Sequence, residues 1–365
     1  MTFGVSLWGR EEGLMVTIAD ALVTSPYGDK PQSIPSLPLP IGYIDKLTAV
    51  TDLVQKTALI NSSLMLTWGG DRPAAEKIIE RLRKQAPAYG RNAGPILDMV
   101  NEEFGRYNNS FKSNKKRSLK LVVHFNLEDE FYYESYGVSR SKWAPYSRVL
   151  LFGDGEEDFY QLAIEGFDPK EVLDKPGLLA NAASLIGMGI FRQGQNEFGL
   201  TNKWGGALEI VSRDNDGFRK INNFLMQAVH VYEENGQVLI TKNPQHYFHT
   251  YLGHHMYAYG WGNANRPHYV RPIGLEGEAP PPPSGIFQPD FVLDIYILHP
   301  PYVRGDHDYE IVTTYSMHPR AFGDMSSQNK IKERVRLSPQ GMIVSYDNEE
   351  ILEAVHRVIA DISQK

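Results

Sequence analysis

The start of the chain carries a residue that could act as a nucleophile. Met1 precedes Thr2, and we expect Met1 to be removed because methionine before a small residue is a good substrate for removal. An N-terminal Thr then carries both a hydroxyl and a free α-amine, which together form a nucleophile and base unit. The amine titrates near ~8, so at neutral pH a useful fraction can take the hydroxyl proton.

Residues that could support this nucleophile follow in order along the chain. Asp20 closes the second apolar run, and Lys46 lies among apolar residues. Gly69-Gly70 ends a third apolar run just before a helical pattern that begins near Pro73. Each has an ordinary explanation: a turn residue for Asp20, a surface lysine for Lys46 and a tight turn for the glycines. Their ordered occurrence after Thr2 favours the catalytic interpretation.

This order resembles the proteasome β-subunit family of N-terminal nucleophile hydrolases, including bacterial relatives such as Anbu. The resemblance implies that Thr2 is the nucleophile, supported by Asp20 and Lys46, and that the backbone N–H of Gly69 stabilises the oxyanion. It continues downstream in 147–155, which looks like the family's strand ending in Gly-Ser-Gly, and in 205–218, which looks like its late Gly-Gly strand and hairpin. The match covers about residues 2–220.

Several polar positions depart from the family pattern. Leu22 stands where the family often has Arg, and Asp154 replaces the serine of the Gly-Ser-Gly turn. The late Asp and Ser that flank the nucleophile's amine align loosely with Thr201 and Trp204. Asp154 can accept a hydrogen bond from the ammonium form of Thr2, but it cannot donate as a serine does unless it is protonated. The groups that orient the amine are therefore altered, and Asp154 becomes a candidate site residue.

The bulk composition excludes several classes of function. The chain has 365 residues, a formal net charge of −7 and no cysteine, so disulfides and thiol chemistry are excluded and general nucleic-acid binding is disfavoured. We find no apolar run long enough to span a membrane and no signal peptide at the start. These observations predict a cytoplasmic protein that binds neither nucleic acid nor membranes.

The order of apolar patterns predicts an α+β fold. Together with the resemblance, it implies a four-layer αββα sandwich of two antiparallel sheets between helical layers, the N-terminal nucleophile hydrolase fold, with a C-terminal extension. We expect a hydrolase domain over 1–220 and an aromatic- and Pro-rich extension over 221–365 that packs on it or mediates assembly. The expected helices are 72–85, 95–104, 156–163, 176–188, 218–232 and 349–362.

The C-terminal part contains most of the histidines, including His249, His254 and His255. Their spacing matches no zincin pattern, and the segment is crowded with Tyr and Trp. We therefore expect a role in packing or at an interface rather than in metal binding. The predicted enzyme needs neither a metal nor another cofactor.

Three functions remain open. The first is a threonine peptidase of the proteasome type that acts on peptides or proteins. The second is a catalytically inactive scaffold subunit of the same kind, and the third is an amidase that acts on a small molecule. The resemblance also implies a homo-oligomer, built as a ring or a stacked open ring, and it leaves the involvement of a regulatory ATPase open.

Asp154 provides a test of the amine's surroundings. If its carboxylate lies beside the Thr2 amine, it raises the pKa of that amine, so turnover should be slow at neutral pH and faster at alkaline pH. Asp154→Ser should shift the rate profile to lower pH, as measured by initial rates across pH. An unchanged profile would show that Asp154 is not coupled to the nucleophile.

Overall fold

The computed structural model describes residues 3–9, 14–25, 35, 49–90, 92–110, 119–126, 131–143, 146–153, 175–194, 205–214, 217–241, 244–260, 266–275, 277–303, 308–317 and 333–363. Within them the chain forms five sheets and four helices. The helices are α1 (Arg72–Tyr89), α2 (Ala93–Ser110), α3 (Lys175–Gly194) and α4 (Asn348–Ser363). No helix in this described part is long and apolar enough to cross a membrane.

Two antiparallel sheets form the N-terminal half. The six-stranded sheet has the order β12-β11-β2-β1-β10-β9, and the four-stranded sheet has the order β5-β6-β7-β8. The strands of the first are β1 (Phe3–Trp8), β2 (Met15–Asp20), β9 (Ser139–Trp143), β10 (Tyr146–Gly153), β11 (Leu208–Asp214) and β12 (Gly217–Lys220). Those of the second are β5 (Thr57–Asn61), β6 (Leu64–Gly70), β7 (Leu119–Asn126) and β8 (Phe131–Tyr136). A separate pair joins β3 (Leu22–Ser25) to β4 (Ala49–Leu53).

The C-terminal part adds two more sheets. A seven-stranded sheet has the order β17-β16-β15-β13-β19-β20, with β14 paired to β13, and a three-stranded sheet has the order β18-β21-β22. The strands of the larger sheet are β13 (Phe224–Glu234), β14 (Gln237–Ile240), β15 (Gln245–Leu252), β16 (His255–Tyr259), β17 (His268–Val270), β19 (Phe291–Leu298) and β20 (Glu310–Met317). Those of the smaller sheet are β18 (Gly285–Phe287), β21 (Arg334–Ser338) and β22 (Gly341–Ser345).

The layers are held together by alternating apolar residues. The six-stranded and four-stranded sheets face each other through a cluster that includes Trp8, Leu150 and Met65. The other face of the four-stranded sheet packs on α1 and α2, and the other face of the six-stranded sheet packs on α3. Helix α3 also packs on the seven-stranded sheet, so it is enclosed between two sheets.

The predicted four-layer αββα sandwich is wrong. Among the described residues strands make up 50% and form five separate sheets, and α3 lies between two of these sheets instead of forming an outer helical layer. The predicted helix 218–232 is also wrong, because these residues form most of β12 and β13. Phe224–Glu234 is buried on both faces for most of its length, so apolar residues occupy both faces and polar ones do not alternate with them as in a half-exposed strand.

Other elements agree with the sequence-based predictions. The first two strands and the C-terminal helix are confirmed as β1, β2 and α4. The predicted helix 156–163 lies outside the described residues. The division at 220/221 stays a prediction, although one hydrophobic cluster contains buried residues from both sides, including Leu208 and Leu293.

Gly187 sets how closely α3 approaches the seven-stranded sheet. A Cβ at this position would lie 2.8 Å from Leu293 Cδ2 and 2.8 Å from Met226 Sδ. Both neighbours are 0% exposed, so neither can swing into solvent. A residue larger than glycine would therefore push the helix and the sheet apart.

We expect Gly187→Ala to lower the free energy of unfolding by about 1–3 kcal/mol through overpacking, although alanine favours helices. The matched control is Gly105→Ala in α2, where a Cβ would have no atom within 4 Å. That control should raise stability by roughly 0.5–1 kcal/mol. Urea unfolding of both variants measures the difference, and a gain in stability for Gly187→Ala would contradict the packing described.

Candidate active site

Asp20 holds the start of the chain. It is the last residue of β2 and is 0% exposed. Its Oδ1 accepts the N–H of Phe3 at 2.9 Å, and its Oδ2 accepts the N–H of Gly205 at 3.0 Å. Phe3 is covalently bonded to Thr2, so the carboxylate is hydrogen-bonded to the peptide unit that follows the expected nucleophile. Thr2 itself lies outside the described residues.

Gly205 must be a glycine for this contact to form. Its φ of 120° is a conformation that L side chains rarely adopt. The carbonyl oxygen of Gly205 also accepts the N–H of Ala21 at 3.3 Å. Gly205 is therefore hydrogen-bonded to both Asp20 and the residue that follows it. Gly205, the first residue of the Gly-Gly pair noted in the sequence, thus donates to the Asp20 carboxylate from just before β11.

The described cation whose charge acts most strongly on Asp20 is Lys56, which directly precedes β5. Burial raises the pKa of Asp20 to about 6, and the positive charge of Lys56 opposes this shift. Burial lowers the pKa of Lys56 to about 8, and the negative charges of Asp20 and then Glu209 oppose that shift. Between these two pKa values both side chains are charged, so near neutral pH the pair is ionic.

The position of Lys56 is fixed by the hairpin of β5 and β6. Its carbonyl oxygen accepts the N–H of Trp68 at 3.0 Å, and its ammonium nitrogen lies 4.4 Å from the centroid of the Trp68 ring. Cation–π attraction therefore offsets part of the cost of burying this charge.

The sequence predicts a role for Lys46 and gives no indication that Lys56 is buried near Asp20. Lys46 and Asp154 both lie outside the described residues, so their roles stay predictions. The sequence interpretation joined 58–68 into one strand, whereas the structure divides this region into β5 and β6. Recognising Asn61-Ser62-Ser63 as a turn would have placed Lys56 at the start of a hairpin that leads to the two glycines.

Gly69 lies near the end of β6, opposite Lys120 of β7. Gly70 follows with a φ of 85°, and Asp71 then caps α1 by accepting the N–H of Ala74 at 3.1 Å. Because Trp68 pairs with Lys56, Gly69 is one residue beyond the strand position opposite the buried lysine. Its proposed donation to an oxyanion stays a prediction.

A second buried carboxylate, Glu209 of β11, binds the segment that carries Lys56. Glu209 is 0% exposed and its Oε2 accepts the N–H groups of Lys56 and Thr57, the latter at 3.0 Å. Its Oε1 accepts the hydroxyl of Thr57 at 2.7 Å and the ammonium of Lys220 at 2.6 Å. One carboxylate therefore ties β11 of the six-stranded sheet to the start of β5 in the four-stranded sheet.

Gln55 connects this cluster to the C-terminal part of the chain. Its Oε1 accepts from Lys220 Nζ at 2.5 Å, and its Nε2 donates to the carbonyls of His254 at 2.7 Å and Val270 at 3.2 Å. Its backbone N–H also donates to the carbonyl of Arg271 at 2.9 Å. The residue before Lys56 is thus fixed from both halves of the chain.

The aromatic residues of β15 form one side of the cluster. The Tyr247 hydroxyl accepts the N–H of Leu208 at 3.0 Å, and the ring centroid of Tyr251 lies 5.0 Å from Lys220 Nζ. His249 is 0% exposed, contacts both tyrosine rings, and is bonded through Nε2 to the carbonyl of Ile221 at 3.1 Å. The described residues contain no group of three or more His, Cys, Asp or Glu side chains that could hold a metal ion.

No protein-family model matches the chain, and no curated protein matches it either. The resemblance to proteasome β subunits therefore rests on the residues alone. The function proposed below therefore depends on the chemistry of Asp20, Lys56 and their neighbours.

Asp20→Asn should change how stability depends on pH. Asp20 has a higher pKa in the folded state, about 6, than its ordinary 3.8, so its ionisation reduces stability as pH rises between these values. Lys56 has a lower folded pKa, about 8, than its ordinary 10.5, so stability rises with pH across that window. Without the Asp20 charge, the pKa of Lys56 falls further and this rise starts at lower pH.

In Asp20→Asn we expect stability no longer to fall as pH rises between the two pKa values of Asp20. The gain in the free energy of unfolding between the two pKa values of Lys56 should grow by about 1.4 kcal/mol for each unit that the folded-state pKa of Lys56 falls. Urea midpoints measured from acidic to alkaline pH test this. Asp52→Asn is the matched control, because Asp52 is partly exposed and its charge has a smaller effect on Lys56 than that of Asp20. Equal pH profiles for the two variants would contradict a coupled buried pair.

Proposed function

We propose that the protein is an N-terminal threonine hydrolase that cleaves amide bonds in peptides or proteins, with Thr2 as the nucleophile. The observation that carries the proposal is the buried Asp20–Lys56 pair, whose carboxylate binds the N–H that directly follows Thr2. In this proposal Lys56 takes the role that the sequence gave to Lys46. The absence of cysteine is compatible with the proposed cytoplasmic location.

The proposed reaction needs no group beyond the chain and water. Thr2 Oγ bonds to the amide carbonyl carbon while the free α-amine of Thr2 takes the hydroxyl proton. The amide C–N bond then breaks, the proton passes to the leaving amine, and water hydrolyses the ester that remains on Thr2. The positive charge of Lys56 lowers the pKa of the hydroxyl, and Asp20 keeps that charge in place.

The pKa values of Lys56 and Asp20 set the pH range of the proposed activity. A protonated Lys56 is required for its electrostatic role, and its pKa of about 8 sets an upper pH limit. An ionised Asp20, with a pKa of about 6, sets a lower limit. The proposed activity is therefore greatest between these values, subject to the titration of the Thr2 amine itself. The homo-oligomeric ring and the absence of nucleic-acid or membrane partners stay predictions, and the involvement of a regulatory ATPase stays open.

Covalent labelling tests the nucleophile. We expect purified protein to lack Met1 and to gain the mass of one peptide epoxyketone or β-lactone, as measured by intact mass. Thr2→Ala should abolish labelling, because it removes the hydroxyl. Lys56→Met should slow labelling by about a hundredfold, the scale of one charged or hydrogen-bonding group at a reacting centre. Lys46→Met is the paired variant and should label normally.

The other functions give different outcomes. Retained Met1, or no label on Thr2, would contradict the proposal and favour an inactive scaffold. Labelling without cleavage of any peptide would favour a small-molecule amidase. Normal labelling of Lys56→Met with slow labelling of Lys46→Met would return the role to Lys46. Circular dichroism controls for loss of the fold. Lys56→Arg, which keeps the charge, separates loss of the charge from other effects of replacing Lys56.

A further inference from the structure

A row of polar side chains crosses the seven-stranded sheet far from Lys56 in sequence. His246 of β15 pairs with Gln227 of β13, Gln227 pairs with Asp294 of β19, and Asp294 pairs with Thr314 of β20. All four lie on the face opposite α3, because the α3 face carries the alternate residues, such as Met226 and Leu293. We call these four residues the polar row.

The polar row lies at the boundary between two apolar clusters. On one side, Leu225 and Val292 are covered by the three-stranded sheet. On the other side, Val229 and Tyr296 are covered by α4. Tyr346 lies in the connection between β22 and α4, and its ring centroid is 5.5 Å from that of His246. The row therefore lies at the seam between the two elements that cover this face.

Gln227 Oε1 and, in the tautomer protonated at Nδ1, His246 Nε2 are buried acceptor atoms in the row that have no partner among the described residues. Gln227 is 1% exposed, and its Nε2 donates to Asp294 Oδ1, but its Oε1 has no hydrogen bond. Nε2 of His246 is also buried without a partner. An unpaired buried polar group destabilises the fold, so a ligand that donates to these atoms would bind favourably.

Among the described residues, the charged group that acts on Asp294 is the carboxylate of Glu333. Burial and, to a smaller extent, the negative charge of Glu333 raise the pKa of Asp294 to about 7, against the lowering effect of hydrogen bonds from Gln227 and Thr314. Burial lowers the pKa of His246 to about 4, so this imidazole is neutral. Arg357 of α4 acts on the Tyr296 hydroxyl, and no cation is among the groups that shift Asp294.

We propose that the polar row is a binding site for a small primary ammonium group, with Asp294 as counter-ion and Gln227 Oε1 as a second acceptor. His246 Nε2 on the neighbouring strand supplies a further acceptor. A primary ammonium has three N–H donors and no acceptor, which suits a site whose open atoms are acceptors. This proposal is independent of the proposed hydrolase activity.

An ammonium group fits this site better than a metal ion does. The described residues contain no group of three His, Asp or Glu side chains placed to hold a metal. Gln227 Nε2 already occupies one oxygen of Asp294, whereas Ca²⁺ and Mg²⁺ require about six oxygen ligands. Binding a cation favours the ionised form of Asp294, so affinity should increase as pH rises through the pKa of this group.

Carbon NMR of the carboxyl groups tests the proposal on the full chain. The protein is labelled with ¹³C-aspartate, Asp294 is assigned by Asp294→Asn, and methylammonium chloride is added at constant ionic strength. We expect the apparent pKa of Asp294 to fall by about one unit at saturation, which corresponds to about tenfold tighter binding to the ionised form. Tetramethylammonium, which has no N–H donor, is the matched control and should leave this pKa unchanged.

Two variants sharpen the test. Gln227→Leu removes the open acceptor and should weaken methylammonium binding by about tenfold, and Gln227→Glu, which adds a carboxylate, should strengthen it. The same shift with tetramethylammonium, or no shift with methylammonium, would overturn the proposal. A shift produced by Ca²⁺ or Mg²⁺ alone would overturn it in favour of a metal site. Circular dichroism confirms that both variants fold, and the wild-type titration stands if either does not.

Discussion

Burial of charge where the two N-terminal sheets meet is the constraint on which the rest of the structure depends. Asp20, Lys56 and Glu209 are buried, and Lys220 is largely buried. The positive charge of Lys56 acts on Asp20, and Lys220 Nζ lies 2.6 Å from Glu209 Oε1. Removing one partner of such a pair typically costs about 3–5 kcal/mol, because the other charge is left uncompensated. Residues that have no direct part in chemistry, such as Gly205 and Thr57, are therefore fixed by the need to satisfy these groups.

The enclosure of α3 explains why the C-terminal part packs directly on the N-terminal half. Helix α3 has an apolar surface on two sides, so it needs a sheet on each side. The seven-stranded sheet provides the second one and brings β15 next to Glu209 and Lys220. A typical surface helix covers one sheet with one apolar face, whereas α3 is enclosed.

The sequence was sufficient for the parts of the site that depend on local pattern. A strand that ends in Asp20 and a strand that breaks at Gly69-Gly70 were both predicted and are both observed. The pattern could not identify Lys56, because its role comes from pairing across two sheets and from contacts with Glu209, which is 153 residues away. The fold class was wrong for a related reason: fully buried strands such as β13 lack the alternation that distinguishes strands from helices.

The contacts of Gln55 affect the order in which parts of the protein fold. Its amide reaches the carbonyl of Val270, a separation of 215 residues in sequence. Contacts of such long range close large loops and form late in folding. During synthesis the segment around Lys56 therefore stays without its supports until the second half of the chain has emerged and folded. Any chemistry that depends on the position of Lys56 therefore requires that both halves of the chain have folded.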